Sequence, residues 1–233
     1  LVTDKEIWPI TLNTFILAVG LTVGVVLISA MAGYALSRIR FAGRQGFLAM
    51  TLILHAFPSV TLLISIYFVL RWISEVPLLG KGLPLIDGFG YNTLGGIILV
   101  SVALQLPLGV WLMKGFFDGV SWDIERAALI DGCSRLQVLF KITLPLLAPA
   151  VVSVGVFNFL VAWSELMFAL TLTTADTVRT FPPGLIIRYA GQYQSLYNEM
   201  MAGSVLVTLP VIVIFIALQR YVLEGMTLGA VKG

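Results

Sequence analysis

The chain has 233 residues, of which 59% are hydrophobic and only 11% charged, with net charge +2 and mean hydropathy +1.00. Soluble domains carry about 25% charged residues, so the composition excludes an ordinary water-facing globule and points to the bilayer as solvent. One Cys excludes an intrachain disulfide, one His leaves no His-rich metal cluster, and no basic stripe with interleaved aromatics offers a nucleic-acid surface.

In chain order, five long uncharged stretches predict membrane-spanning helices near 14–36, 47–70, 94–113, 146–170 and 201–218. Each supplies the ~20 residues that cross a ~30 Å hydrocarbon core, and helices follow because backbone polar groups in lipid must be bonded within the segment. The expected fold is an all-α polytopic bundle forming one transmembrane domain over 1–233. Gly20, Gly24, Pro58, Pro107 and Pro210 suit membrane helices, where neighbouring helices re-satisfy freed backbone groups. The basic turn Arg38-Ile39-Arg40-Phe41-Ala42-Gly43-Arg44 is expected in the cytoplasm. Alternation then places 114–145 and the tail 219–233 inside, with nine Lys and Arg inside against five outside. Five spans leave the N-terminal end outside, and with Leu at position 1 a sixth, preceding helix is the expectation for the full protein.

The loop 114–145 has clear local signals. Ser121 is placed as an N-cap, with Asp123 and Glu125 in the first turn where the helix dipole favours anions. Ala127 and Ala128 favour helix, and Gly132 is placed to end it in the left-handed conformation. Ser134 with Gln137 predicts a capping box for a second short helix, and Pro145 can open the next one. Such a helix pair is expected to expose Ile124, Ala127, Ala128, Leu136, Leu139 and Phe140. These apolar groups call for a groove on a partner protein or for the bilayer surface.

On these residues the loop resembles the coupling loop of bacterial and archaeal ABC importers. That pattern has Glu-Ala-Ala, then Asp-Gly, then Ile-x-Leu-Pro about a dozen residues on. Ala127, Ala128, Asp131, Gly132, Ile142, Leu144 and Pro145 match it. The segment Trp163–Leu170 and the end Glu224–Gly233 resemble the second permease of maltose-type, carbohydrate-uptake systems. The resemblance implies a permease subunit in a bacterial or archaeal inner membrane. It further implies a paralogous first permease, two cytoplasmic ATPase subunits that bind ATP and Mg, and an extracytoplasmic solute-binding protein. This chain itself binds no cofactor in that picture, has no G-x-x-x-x-G-K-[ST] loop, and is not an enzyme.

The resemblance implies ATPase contacts at Glu125, Arg126, Ala127, Ala128, Leu129, Asp131, Gly132, Phe140, Ile142, Leu144 and Pro145. It implies tail contacts at Met226, Thr227, Gly229, Lys232 and Gly233. The Glu directly before the two alanines falls on Arg126 here, so either Glu125 takes over the acidic role from about 100° round the helix or the contact is built differently. A substrate path through Asn158, Trp163, Glu165 and Tyr193 stands against the alternative of interfacial anchors and helix contacts. Sugars and oligosaccharides are the expected solutes, with glycerol phosphate or another polyol as alternative. An ion-coupled carrier working alone is the reading from another class, but such a carrier needs intramembrane titratable pairs, and Glu165 and His55 have no obvious partners in the sequence.

Overall fold

The structure, a computed structural model, describes residues 7–77, 79–80, 87–189 and 197–230, with side chains through 221. Every regular element among the described residues is helical. Helices α1 (Ile7–Arg38), α2 (Arg44–Ala56), α3 (Leu63–Glu75) and α4 (Leu94–Asp118) are followed by a cluster of short helices in the loop. These are α5 (Trp122–Ile130), α6 (Arg135–Val138), a π-helical stretch Leu139–Thr143, and α7 (Leu144–Leu146). Then come α8 (Ala148–Trp163), α9 (Met167–Leu172), α10 (Phe181–Tyr189) and α11 (Tyr197–Ala230).

Three described helices are by themselves long and apolar enough to cross a membrane: α1, α4 and α11 over Tyr197–Tyr221. The span expected at 47–70 is instead a pair, Arg44–Ala56 and Ser59–Glu75, bent by 86°. Pro58 is the cause, since it lacks an N–H and disfavours helical backbone in the residue before it. Phe57 accordingly sits at φ −71°, ψ 133°, and Pro58 at φ −60°, ψ 109°. The span expected at 146–170 is also interrupted. Arg135–Leu146 and Ala148–Trp163 meet at an 82° bend around Leu147, between Pro145 and Pro149. After α8 the chain breaks again at Ser164–Leu166 before α9 resumes. The segment expected as a cytoplasmic tail from 219 onward continues α11 as helix to Ala230.

The chain divides into two compact units, and the division cuts through α1, α4, α8 and α11. The first draws on Leu1–Thr22, Pro58–Leu104 and Asn158–Ile216. Its core joins Leu70, Ile73, Val100, Phe168 and Leu172. Long-range polar contacts pin its loops. Asn13 Nδ2 donates to the carbonyls of Thr177 and Arg179, both at 2.9 Å, and the Phe181 amide donates to Thr14 Oγ1 at 2.7 Å. Asn92 Oδ1 accepts from the amides of Thr174 (2.7 Å) and Ala175 (3.0 Å). Backbone groups of an irregular loop need partners outside a helix ladder, and the side chains of Asn13 and Thr14 on α1 and of Asn92 just before α4 supply them.

The second unit draws on Val23–Phe57, Gln105–Phe157 and Ala217–Gly233. Its core holds Ala30, Tyr34, Met113, Phe117, Val120, Leu139, Leu147 and Val154. Here α1 and α4 approach closely through small residues, as membrane helices do in place of a hydrophobic driving force. A Cβ at Gly33 would lie 2.8 Å from the Lys114 backbone nitrogen, and one at Gly109 would lie 2.8 Å from Val25 Cγ1. The loop 114–145 belongs to this unit and rests on this core.

Candidate functional site

The loop folds as its local signals dictate. Ser121 Oγ accepts from the Asp123 amide at 3.2 Å, capping α5. At the other end Gly132 takes φ +91°. The Cys133 amide donates to Ala128 O (3.0 Å) and the Gly132 amide to Leu129 O (3.2 Å). These two bonds are the paired closure of a Schellman turn, which satisfies carbonyls the helix leaves open. The capping box follows: the Gln137 amide donates to Ser134 Oγ (3.3 Å) and the Ser134 amide to Gln137 Oε1 (2.8 Å).

Burial sorts the loop residues into two faces. Inward lie Glu125, Ala128, Val138, Leu139 and Thr143. Outward lie Trp122, Ile124, Arg126, Ala127, Ile130, Asp131, Gly132, Leu136, Phe140 and Pro145, with Leu129, Ile142 and Leu144 half-buried. Two of the expected exposed groups are therefore corrected: Ala128 and Leu139 are buried, and Leu139 is part of the core beneath the loop. In their place Ile130, 86% exposed, and Trp122 add apolar surface. Both were legible as apolar residues, but only the helix phase set by the packing shows which side they take.

Glu125 is the larger correction. Its side chain and that of Arg38 are each 2% exposed. Arg38 Nε and Nη2 both donate to Glu125 Oε1, at 2.8 and 2.6 Å, and the Tyr34 hydroxyl donates to Oε2 at 3.0 Å. A carboxylate so enclosed has no face left for an external cation. One position on, Arg126 has a side chain 68% exposed, loosely paired with Asp123 at 3.8 Å. The ion presented outward at this point of α5 is thus a cation. From the sequence, Arg38 stands only as one of the basic residues that set orientation. Its spacing of four from Tyr34 puts both on one helix face, which is a weak signal without knowledge of the partner.

The network extends to α4. Arg38 Nη2 also donates to the Val120 carbonyl (3.2 Å) and Nη1 to Ser37 Oγ (3.1 Å), while Ser37 Oγ donates to Asp118 Oδ1 (2.6 Å). Lys114 pairs with Asp118 Oδ2 at 2.5 Å. The Trp122 ring covers the guanidinium with its centroid 4.9 Å from Arg38 Cζ. Two cations and two anions balance, and charge-assisted bonds of this geometry are strong.

Of the residues expected on a substrate path, Asn158, Trp163 and Glu165 lie among the described residues. Asn158 and Trp163 are buried in the first unit. Trp163 stacks on Phe159 (centroids 5.4 Å apart) and donates from Nε1 to the Val207 carbonyl at 3.0 Å, a helix-to-helix contact. Glu165 Oε1 accepts from the Phe168 amide at 2.8 Å and so caps the restart of the chain at α9. Tyr193, Lys232 and Gly233 lie outside the described residues, and the side chains of Met226, Thr227 and Gly229 do too, although these three positions are helical. A cavity of about 530 Å³ in the first unit is lined by other residues, including Asp176, Arg179 and Arg188.

An all-helical membrane chain carrying this loop defines the class of importer permeases. Residues 7–227 match the family described as binding-protein-dependent transport system inner membrane component, and the chain belongs to that family. Permease subunits of this family are not enzymes, and ATP hydrolysis lies in partner subunits. The chain is 35% identical to the trehalose/maltose transport system permease protein MalG of Thermococcus litoralis, over 95% of this chain and 74% of that one. It is 31% identical to the sulfoquinovosyl glycerol transport system permease protein SmoH of Agrobacterium fabrum, over 99% and 75%. It is 32% identical to the trehalose transport system permease protein SugB of Mycobacterium tuberculosis, over 91% and 72%. Among solved structures, a bacterial ABC transporter involved in import of the acidic polysaccharide alginate shares the fold, with TM-score 0.72 at 23% identity, over 94% of this chain and 76% of that one.

Proposed function

We propose that the chain is one of two paralogous permeases of an ATP-driven importer for a sugar or oligosaccharide, embedded as a multi-pass protein in the inner membrane. A solute-binding protein delivers the solute from outside, and two ATPase subunits dock below. The observation that carries the reading is the loop itself. It is a capped helix, a Schellman turn and a second capped helix that together leave Ile124, Ile130, Leu136 and Phe140 uncovered beside Arg126. A rigid helix pair with an apolar outer face fits a groove on a partner. ATP-driven closure of the partner then moves the loop, and rigid-body rotation of packed helices exchanges inward-open and outward-open states. Sugar as solute class is supported by the three relatives, named for transport of trehalose or maltose, sulfoquinovosyl glycerol, and trehalose.

The test is purification of tagged permease with the proteins encoded beside it, followed by reconstitution in liposomes and uptake of radiolabelled maltose, trehalose and glycerol phosphate. Co-purifying ATPase and uptake that needs both ATP and the binding protein are expected. Uptake by the permease alone, driven by a proton gradient, would overturn the reading in favour of an ion-coupled carrier.

A further inference from the structure

We infer that Glu125, two residues before the paired alanines of the loop, is a positioning residue that fastens the coupling helix to its own chain, with Arg38 as its anchor. Its significance for coupling rests on the permease reading above; the contact itself does not. Three observations support it. The pair joins residues 87 apart in sequence, so no local helix preference accounts for it. Both oxygens of the carboxylate are engaged and the guanidinium is bonded or covered on every side described, by Glu125, Val120, Ser37 and the Trp122 ring. The remaining contacts of α5 to the core are small: Ala128 and the half-buried Leu129 are its other inward groups.

A nine-residue helix with so little apolar burial is marginal by itself. The Arg38–Glu125–Tyr34 contact, continued through Ser37 to Asp118 and Lys114, ties it to the ends of both α1 and α4. A push on α5 then displaces α1 and α4 with it. Without the tie, α5 pivots on its flanking turns and the push is dissipated. Buried ion pairs have a diagnostic energetic behaviour: removing one partner strands a charge, whereas neutralising both leaves a pair that can still hydrogen-bond.

The experiment uses Arg38→Gln, Glu125→Gln and the double variant in the assembled complex, with the maleimide reactivity of Cys133 as reporter. Cys133 is the chain's single cysteine, sits half-buried one residue past Gly132, and donates its amide to α5. Each single variant is expected to raise its labelling rate about tenfold, as a loosened helix should. The double variant is expected to fall back to within about threefold of the wild-type rate. ATPase subunits should be retained by Glu125→Gln as well as by wild type. If the single variants fail to accumulate, the membrane level of the double variant carries the same comparison: recovery supports the pair, and a level no higher than the singles overturns it. Wild-type labelling in both singles, or a double variant as reactive as they are, also overturns it. So does loss of the ATPase from Glu125→Gln but not from Arg38→Gln, since Glu125 would then face the partner. Failure of the permease reading would look different, because no ATPase would co-purify with wild type while the labelling order persisted.

Discussion

Gly33→Ala places one methyl group where α1 meets α4. The added Cβ would lie 2.8 Å from the Lys114 backbone nitrogen and 2.9 Å from Met113 Cβ. Ordinary contacts for such a carbon begin near 3.4 Å. Neither neighbour can rotate aside, because one is backbone and the other is the stem of a fully buried side chain. The helices must therefore separate by roughly half an ångström, opening the core of Ala30, Tyr34, Met113 and Phe117. Overpacking of this kind costs about 1–3 kcal/mol, against which Ala gains about 0.5–1 kcal/mol over Gly in a helix interior. Gly115→Ala on α4 is the matched control, since its Cβ would meet nothing within 4 Å and only the helix gain applies. The assay is the thermal midpoint of detergent-solubilised permease, read by size-exclusion chromatography after heating. Gly33→Ala should melt several degrees below wild type and Gly115→Ala at or above it. Equal midpoints for the two variants would refute the close approach of α1 and α4 at Gly33.

Gly132→Val should strain the Schellman turn through its φ of +91°, by about 1–2 kcal/mol, with no steric clash since nothing lies within 4 Å of the new Cβ. Transport and ATPase stimulation are expected to fall while membrane insertion persists; unchanged coupling would exclude a need for the turn. The exposure of Arg126 and burial of Glu125 predict that Arg126→Glu weakens ATPase retention in a pull-down at low salt, and that the defect is smaller at high salt. A retention equal to wild type at low salt would show that Arg126 meets no charged partner group. Deleting Thr227–Gly233 removes the end of α11 beyond its membrane-spanning part. The permease should insert and assemble, with transport-coupled ATP hydrolysis reduced if the end docks at the ATPase dimer; full-rate transport would rule that docking out.

Much of the loop is legible in the sequence, because its determinants are local. Ser121, Gly132 and the Ser134–Gln137 box act on amides and carbonyls two to five residues away. A short polar side chain or a missing Cβ is enough to specify such geometry. Apolar spans are legible for a similar reason, since length and hydropathy alone decide whether a segment can leave water. Pro58 marked a position in a span but not the size of its bend, because neighbouring helices decide whether a proline kinks a helix or ends it.

The sequence by itself determined the helical class, the family and the caps of the loop. Only the tertiary structure decided which of two adjacent ions, Glu125 or Arg126, turns inward. Adjacent on one short helix, they point about 100° apart, so a rotation of that size would exchange them. Arg38 settles the choice from 87 residues away: burying a carboxylate is tolerable only opposite a bonded cation. Arg126 remains in solvent beside Asp123. A spacing in the sequence places side chains on a helix; the long-range partner decides which face is in.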